Sequence, residues 1–427
     1  MKIENIYLKF LECSCVSTDT RKIEKNSIFF ALKGDNFDAN TFTKEALEKG
    51  AKYVVIDNPK YYIEGKTILV DNVLITLQEI ANHHRRTLKT PIIALTGSNG
   101  KTTTKELINV VLSTKFKTIA TIGNLNNHIG VPLTLLRFNE NTEVGIVEMG
   151  ANHQKEIEFL CQIAEPNYGY ITNFGKAHLE GFGGVEGIIK GKSELYTYLK
   201  QNKQITIVNL DDTLQKEKTE NTNRFTFANN NENADVKINS IEANPMVKIQ
   251  YNNTEVKSHL IGAYNANNIN AAIAIGKYFK IEDVAIKDAI ENYIPTNNRS
   301  QLIEKNNNQI ILDAYNANPS SMAAAIENFI QINKESKVVI LGDMFELGED
   351  SLIEHKNIVR LLKNEVSITS HFVGKDFYSN KENENHLHFY QNFEEFSEQI
   401  RNKKIKNSFI LIKGSRGMAL ERTLDII

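Results

Sequence analysis

At about 150 residues per domain, a chain of 427 residues is expected to form roughly three domains. Its composition (41% hydrophobic, 24% charged, 8% aromatic) is that of an ordinary globular protein and excludes a disordered or fibrous one. The 50 Lys and Arg against 52 Asp and Glu leave a net charge of -2, so no overall cationic field draws the chain to nucleic acid or anionic lipid.

The first residues, Met1 to Phe10, carry Lys2, Glu4 and Lys9 and lack the apolar segment of a signal peptide. No apolar run approaches the roughly 18 residues a membrane span needs, so a cytoplasmic protein with no membrane insertion is expected. Cys13, Cys15 and Cys161 are too few for a disulfide framework or a four-ligand zinc site. Cys13 and Cys15, alternating with Ser14, read as small buried residues of a strand. Ser27–Leu32 and Tyr53–Asp57 read as strands, Thr43–Lys49 and Asn72–Leu88 as helices, and Pro91 follows as a boundary.

From there apolar runs alternate with helical ones. Ile92–Leu95, Val144–Met149, Gly169–Thr172 and Ile205–Asn209 read as buried strands, and Thr104–Leu112, His153–Ile163 and Val185–Leu199 as helices, which implies a parallel sheet covered on both faces. The polar, asparagine-rich residues 215–258 read as an antiparallel excursion containing the strand Val247–Tyr251. Ala266–Tyr278 and Ile281–Tyr293 are helical, and Pro295–Asn298 marks a second boundary. Strands at Gln309–Asp313, Lys337–Leu341, Thr369–Val373 and Ser408–Ile412 alternate with helices to the end. The expected fold is therefore α/β in three domains: a small α/β domain (1–90), a central P-loop mononucleotide-binding parallel sheet (91–295) and a C-terminal Rossmann-like domain (296–427).

The segment from Ile92 to Thr103 runs strand, glycine turn, helix. Gly97 and Gly100 let the backbone curl around an anion, with Ser98 and Asn99 between them, and the helix adds its positive end. Lys101 is spaced to reach the β- and γ-phosphates of a nucleotide and Thr102 to meet Mg²⁺, with Thr103 following. Leu95 stands where the full motif has its first glycine; a bare Gly-Lys-Thr is often a chance turn, but the flanking strand and helix point to a nucleotide site. Glu148, closing its strand, is placed to hold the metal from a neighbouring strand, and His178, after the next strand, is a further candidate ligand. Taken alone, each also reads as a solvated residue at a strand end.

In order along the chain, Thr96–Thr103, Glu148-Met-Gly, Thr172-Asn with Ala177-His, Lys192-Ser-Glu, Asn209-Leu-Asp-Asp and Asp313-Ala-Tyr-Asn-Ala-Asn-Pro resemble the Mur ligases, the ATP-dependent amide ligases of peptidoglycan synthesis. Four further stretches point to the branch that joins D-alanyl-D-alanine to UDP-N-acetylmuramoyl-tripeptide: Ser17–Arg21 with Phe29–Gly34, Thr121–Pro132, Tyr315–Met322 and Leu341–Gly348. The resemblance implies that Thr18, Asp19, Thr20, Arg21, Lys33 and Gly34 hold the UDP end of the substrate, with Asn126, Asn127 and Asn316 as further substrate contacts. It implies that Lys192 becomes a carbamate and, with Glu148, His178 and Thr102, holds Mg²⁺, two ions in all. Asn265 and Asn268 fall on the adenine-recognition segment, where Tyr264 replaces the usual His; on their own they read as helix N-cap residues. Arg299 and Asp313 fall on nucleotide contacts.

The implied reaction transfers the γ-phosphate of ATP to the tripeptide carboxylate and lets the amine of D-alanyl-D-alanine displace phosphate, with Lys101, Glu148, His178 and Lys192 as catalytic residues of a monomer. The alternatives are a Mur-type or folylpolyglutamate-type ligase adding a single amino acid, and a P-loop nucleotide switch. The last predicts an Asn-Lys-x-Asp base-recognition motif, which Asn173-Phe-Gly-Lys does not match.

Overall fold

A computed structural model describes residues 2–296 and 298–427. Three sheets follow one another along the chain, with a small hairpin (Lys33–Gly34 and Phe37–Asp38) beside the first. The first sheet has four parallel strands, Val16–Ser17, Ile28–Phe30, Tyr53–Ile56 and Thr67–Leu69. The charged N-terminus forms the helix Ile3–Leu11, whose buried Ile6, Tyr7 and Phe10 lie on one face. Cys13 and Cys15 are half-buried in the turn that follows, not in a strand, because that helix ends only at Leu11 and pairing starts at Val16.

The helix Val73–Leu88 starts at Asn72, whose side chain accepts from the Ile75 N–H, and ends at Lys89 in the left-handed region. Its buried residues recur every three or four positions (Val73, Leu77, Ile80, Ala81, His84), and the stripe packs on the helices Gly130–Leu135 and Glu156–Ala164 of the central region. Arg85 joins the two parts. Its guanidinium donates to the carbonyls of Ala164 and Glu165 and to Asn167 Oδ1, each at 2.9 Å.

The central sheet has nine strands in the order Thr254–Ile261, Met246–Tyr251, Val236–Ala243, Asn223–Ala228, Ile205–Asn209, Tyr168–Ile171, Ile92–Thr96, Val144–Glu148, Thr118–Ala120. Ile92–Thr96 is fully buried and lies between Tyr168–Ile171 and Val144–Glu148, both parallel to it. The chain leaves it toward one side of the sheet and returns on the other. That is the switch point at which open α/β sheets form their crevice. The asparagine-rich segment is only partly the antiparallel excursion expected: Asn223–Ala228 pairs parallel with Ile205–Asn209 and extends the sheet before the antiparallel ladders of Val236–Ile261 begin.

The helix after the glycine turn begins at Lys101, three residues earlier than its apolar pattern suggests, because Gly100 at φ 79° starts it. The expected helix 281–293 spans Asp283–Glu291. Asn297, within the expected boundary at Pro295–Asn298, lies outside the described residues. The third sheet runs Gln301–Lys305, Asn308–Asp313, Phe409–Lys413, Lys337–Gly342, Ile368–Val373, Leu387–Tyr390, parallel except for the first pair. Both outer strands escaped the sequence reading. Among the described residues no helix is long and apolar enough to cross a membrane.

Replacing Arg85 with Ala leaves two backbone carbonyls and an amide without their buried partner, so it is expected to cost about 2–4 kcal/mol of stability, read as a lower urea midpoint at unchanged slope.

Candidate active site

The phosphate loop is held in place by the turn after the neighbouring strand. Thr172 Oγ1 and Asn173 Nδ2 donate to the Asn99 carbonyl at 2.5 and 3.0 Å, Asn173 Oδ1 accepts from the Asn99 N–H, and Ser98 Oγ donates to the Gly175 carbonyl at 2.6 Å. This contact requires glycine. Gly97 has φ 140°, and a Cβ there would lie 2.0 Å from Thr172 Oγ1. At Gly100 the amide of Asn268 would meet a Cβ at 2.5 Å. Lys101 folds back over the loop, and its ammonium donates to the carbonyl of Gly97 at 2.7 Å. Burial pushes its pKa down, against the pull of Glu148.

Glu148 is buried at the end of its strand, and its Oε1 accepts from Asn126 Nδ2 at 2.8 Å and from Thr102 Oγ1 at 3.2 Å. Its Oε2 is buried without a hydrogen-bond partner. A buried carboxylate oxygen left open beside a threonine hydroxyl suits a hard cation, which keeps water and phosphate oxygens as its other ligands. Lys105, one turn after Lys101 and fully buried, fixes the facing loop by donating to the Thr121 carbonyl at 2.7 Å. Its signal in the sequence was a lysine within the apolar stripe of the helix.

Lys192 is 1% exposed, and its ammonium donates to the Ala151 carbonyl at 3.1 Å and lies 4.9 Å over the Phe182 ring. Burial first, and then Lys101, push its pKa well below the lysine range. Glu194 does not join it; that carboxylate accepts from the N–H groups of Lys155 and Glu158 at the start of the helix Glu156–Ala164. His178, at φ 54°, turns its Nδ1 to the carboxylate of Glu346 in the third sheet's region. Burial and the two lysines lower its pKa despite Glu346. Among the described residues no three His, Cys, Asp or Glu side chains converge as a metal cluster.

The opposite wall comes from the C-terminal region. Arg299 stacks 3.7 Å over the Tyr315 ring, and Asp313 accepts from Lys413 Nζ at 2.6 Å and from the Ser300 N–H. Tyr264, half-buried, shares a 3.0 Å hydrogen bond with Ser300 Oγ, and the burial of its hydroxyl end raises its pKa. Asn265 and Asn268 bond to each other at 2.8 Å; Asn265 also donates to the Ile261 carbonyl, and Asn268 accepts from Thr104 Oγ1. Neither side chain caps its helix. Together they lock that helix to the phosphate-loop helix.

A cavity of about 1320 Å³ opens between these walls. Of the residues expected in the site, Ser98–Thr103, Asn126, Asn127, Glu148, His178, Asn265, Asn268, Arg299, Asp313 and Asn316 line it. Asn127 also caps the helix Gly130–Leu135 through Oδ1, and Asn316 accepts from the Ala317 N–H. Gly97 and Lys192 lie behind the wall. Thr18, Asp19, Thr20, Arg21, Lys33 and Gly34 are not brought to this cavity. Arg21 forms a bidentate pair with Asp19 at the surface, which holds the Asp19 carboxyl down at about 2; Lys33 pairs with Asp57 at 2.8 Å, and the Phe37 ring packs on Gly34.

Fold and cavity define a three-part α/β protein built around a phosphate loop. Residues 95–276 match the family described as Mur ligase middle domain, and residues 298–416 the one described as Mur ligase, glutamate ligase domain. The UDP-N-acetylmuramoyl-tripeptide–D-alanyl-D-alanine ligase of Bacillus subtilis (strain 168) is 33% identical, over 96% of this chain and 93% of its own. The solved structure of MurF from Acinetobacter baumannii superposes with a TM-score of 0.87 at 30% identity, covering 99% of this chain and 97% of that one. The MurF ligase from Thermotoga maritima in complex with ADP gives 0.84 at 25% identity, covering 98% and 97%. The chain belongs to the Mur ligase family.

Gly97→Ala is expected to weaken nucleotide binding at least about tenfold by calorimetric titration, because the added methyl must push Thr172 off the loop. The buried Lys192 also sets a pH dependence. With its pKa lowered in the folded chain, the unfolded chain binds more protons at this position, so its stability contribution rises with pH. In bicarbonate-free buffer, Lys192→Met is therefore expected to gain most over the parent near pH ~7 and to lose that advantage as pH rises toward the lysine range, as followed by urea unfolding.

Proposed function

We propose that this chain is an ATP-dependent amide ligase that joins D-alanyl-D-alanine to UDP-N-acetylmuramoyl-tripeptide, releasing ADP and phosphate for peptidoglycan precursor synthesis. The observation that carries the reading is the extent of the likeness. Relatives of that name align along nearly the whole chain, including its first and last regions, with about a third of positions identical, and the solved structure superposes over the same length. In this reading residues 1–90 bind the UDP end through Thr18–Arg21, Lys33 and Gly34, residues 91–295 bind ATP, and residues 296–427 complete the ATP site and receive the amine. The enzyme acts in the cytoplasm as a monomer.

A carboxylate and an ammonium do not condense in water, so the carboxylate is first made into a mixed anhydride with a good leaving group. The tripeptide carboxylate attacks the γ-phosphorus of ATP and ADP departs, giving an acyl phosphate. The amine of D-alanyl-D-alanine, in its neutral form, then attacks the acyl carbon, phosphate leaves with the bonding electrons, and the nitrogen gives up one proton to solvent. The loop N–H groups from Gly100 to Thr102 orient the phosphates, while those of Ser98 and Asn99 are spent on Asn173, and Lys101 leaves its own carbonyls for the phosphate charge. Thr102 and Glu148 would hold Mg²⁺, with His178 and a carbamate on Lys192 serving a second ion; the cations would neutralise charge on the transferring phosphoryl group. Carbamate formation requires a neutral amine, which the burial of Lys192 supplies by lowering its pKa. Asn265 and Asn268 shape the nucleotide pocket, with Arg299 and Asp313 closing over it. Packing of the C-terminal region keeps water from the acyl phosphate.

Phosphate release from ATP is expected only with UDP-N-acetylmuramoyl-tripeptide and D-alanyl-D-alanine together; release independent of both overturns the ligase reading, and equal rates with single amino acids overturn the dipeptide. Lys192→Ala is expected to lower kcat about 100-fold or more, and full activity would remove the carbamate.

A further inference from the structure

The turn from Thr172 to His178 is bonded on both sides. Toward the central sheet it grips the phosphate loop through Asn173 and Gly175. Toward the C-terminal region the Lys176 N–H donates to Ser320 Oγ at 2.6 Å, Lys176 Nζ pairs with Glu354 at 2.6 Å, and His178 meets Glu346. Asn318 adds a direct bond, its Nδ2 donating to Asn99 Oδ1 on the phosphate loop at 2.6 Å. Ser320 and Asn318 both belong to the start of the helix Pro319–Gln331, where Asn318 Oδ1 accepts from the Ser321 N–H. Gly175 admits that helix, since a Cβ there would lie 2.8 Å from Asn99 Nδ2 and 3.0 Å from Ser320 Oγ.

The Lys176–Glu354 pair is unequal: the Lys176 side chain is 46% exposed, that of Glu354 only 11%. Lys176 is the cation that pairs with the Glu354 carboxylate, and it comes from the other region. The loop carrying Glu346 is held from behind, with Met344 N–H donating to His355 Nε2 at 3.0 Å and Asp343 accepting from the N–H groups of Asp376 and Phe377. The contacts that seat the C-terminal region therefore end on the residues that shape the phosphate loop.

We propose that the turn 172–178 couples the seating of the C-terminal region to the phosphate loop, with Lys176, Glu354 and Asn318 as positioning residues that keep ATP cleavage tied to amide formation. The proposal rests on the ligase reading above. When the helix Pro319–Gln331 is unseated, Asn99 loses Asn318 and the turn loses Ser320 and Glu354, so the loop is no longer braced from both sides. A loop in that state binds nucleotide but leaves the acyl phosphate open to water.

Three variants of the full chain test this: Lys176→Glu, its combination with Glu354→Lys, and Asn318→Asp. The last keeps the helix cap, because aspartate caps as well as asparagine, but removes the donor to Asn99. Phosphate released per amide formed is expected to rise severalfold in Lys176→Glu and Asn318→Asp, with a KM for the dipeptide raised about tenfold and ADP affinity within twofold of the parent. The charge-swapped double variant is expected to recover most of the coupling, and it is the raised KM at unchanged ADP affinity that a merely structural contact would not predict. Unchanged coupling and KM in folded Lys176→Glu and Asn318→Asp overturn the proposal. If the parent forms no amide with the dipeptide, the ligase reading falls instead. The coupling is then judged by small-angle scattering: nucleotide must compact the parent more than Lys176→Glu, and equal compaction overturns it.

Discussion

Two lysines stand at one edge of the central sheet, close enough that Lys101 lowers the pKa of the buried Lys192, and Glu148 is buried at the same edge beside Thr102. Lys101 rests on the carbonyls of its own loop and Lys192 on the carbonyl of Ala151, and each is held below its usual pKa by burial. Backbone dipoles soften the cost of such burial without cancelling the charge. Among the described residues neither lysine forms an ion pair with a carboxylate, and a polyphosphate on the loop would supply that counter-charge. Other features of the wall suit the same end: glycines that let the backbone approach, and the open carboxylate oxygen of Glu148, which would take a cation.

The strand order makes this possible. Ile92–Thr96 lies between the strands ending in Glu148 and Ile171, so three consecutive strand ends deliver the phosphate loop, the acid and the bracing turn to one edge. No long side chain has to reach across the sheet. Thr172 touches the loop through a hydroxyl, and Glu148 meets Thr102 within hydrogen-bond distance.

The parts of this arrangement that lie close in sequence were legible before the structure. The glycine turn with its lysine and the strand-end Glu148 rest on local spacing, and the chain folds them as spacing implies; Lys192 came from the family resemblance alone, and its Glu194 turns instead to the N–H groups of Lys155 and Glu158. Asn265 and Asn268 were only half legible: their placement at the cavity follows the motif, but their amides bond each other and Thr104, a contact that depends on how two helices cross. Asn318 reads as a turn residue before Pro319, and nothing local indicates that its amide crosses 219 positions to Asn99. Glu346 and Glu354 likewise look like solvated acids on a loop and a helix. Short edge strands such as Leu387–Tyr390 carry too little alternation to stand out, and the asparagine-rich segment hid a parallel strand because polar side chains on its outer half mask the buried Thr226, Phe227 and Ala228.

The three regions are not joined alike. The first is riveted to the second by the apolar face of Val73–Leu88 and by Arg85, while the third meets the phosphate loop and its turn largely through amides, hydroxyls and ion pairs that water replaces at little cost. The first two regions therefore make one frame, on whose phosphate loop the third is seated by polar contacts. Anything gripped on the first sheet stands at a set span from the phosphate loop, as on the fixed arm of a caliper.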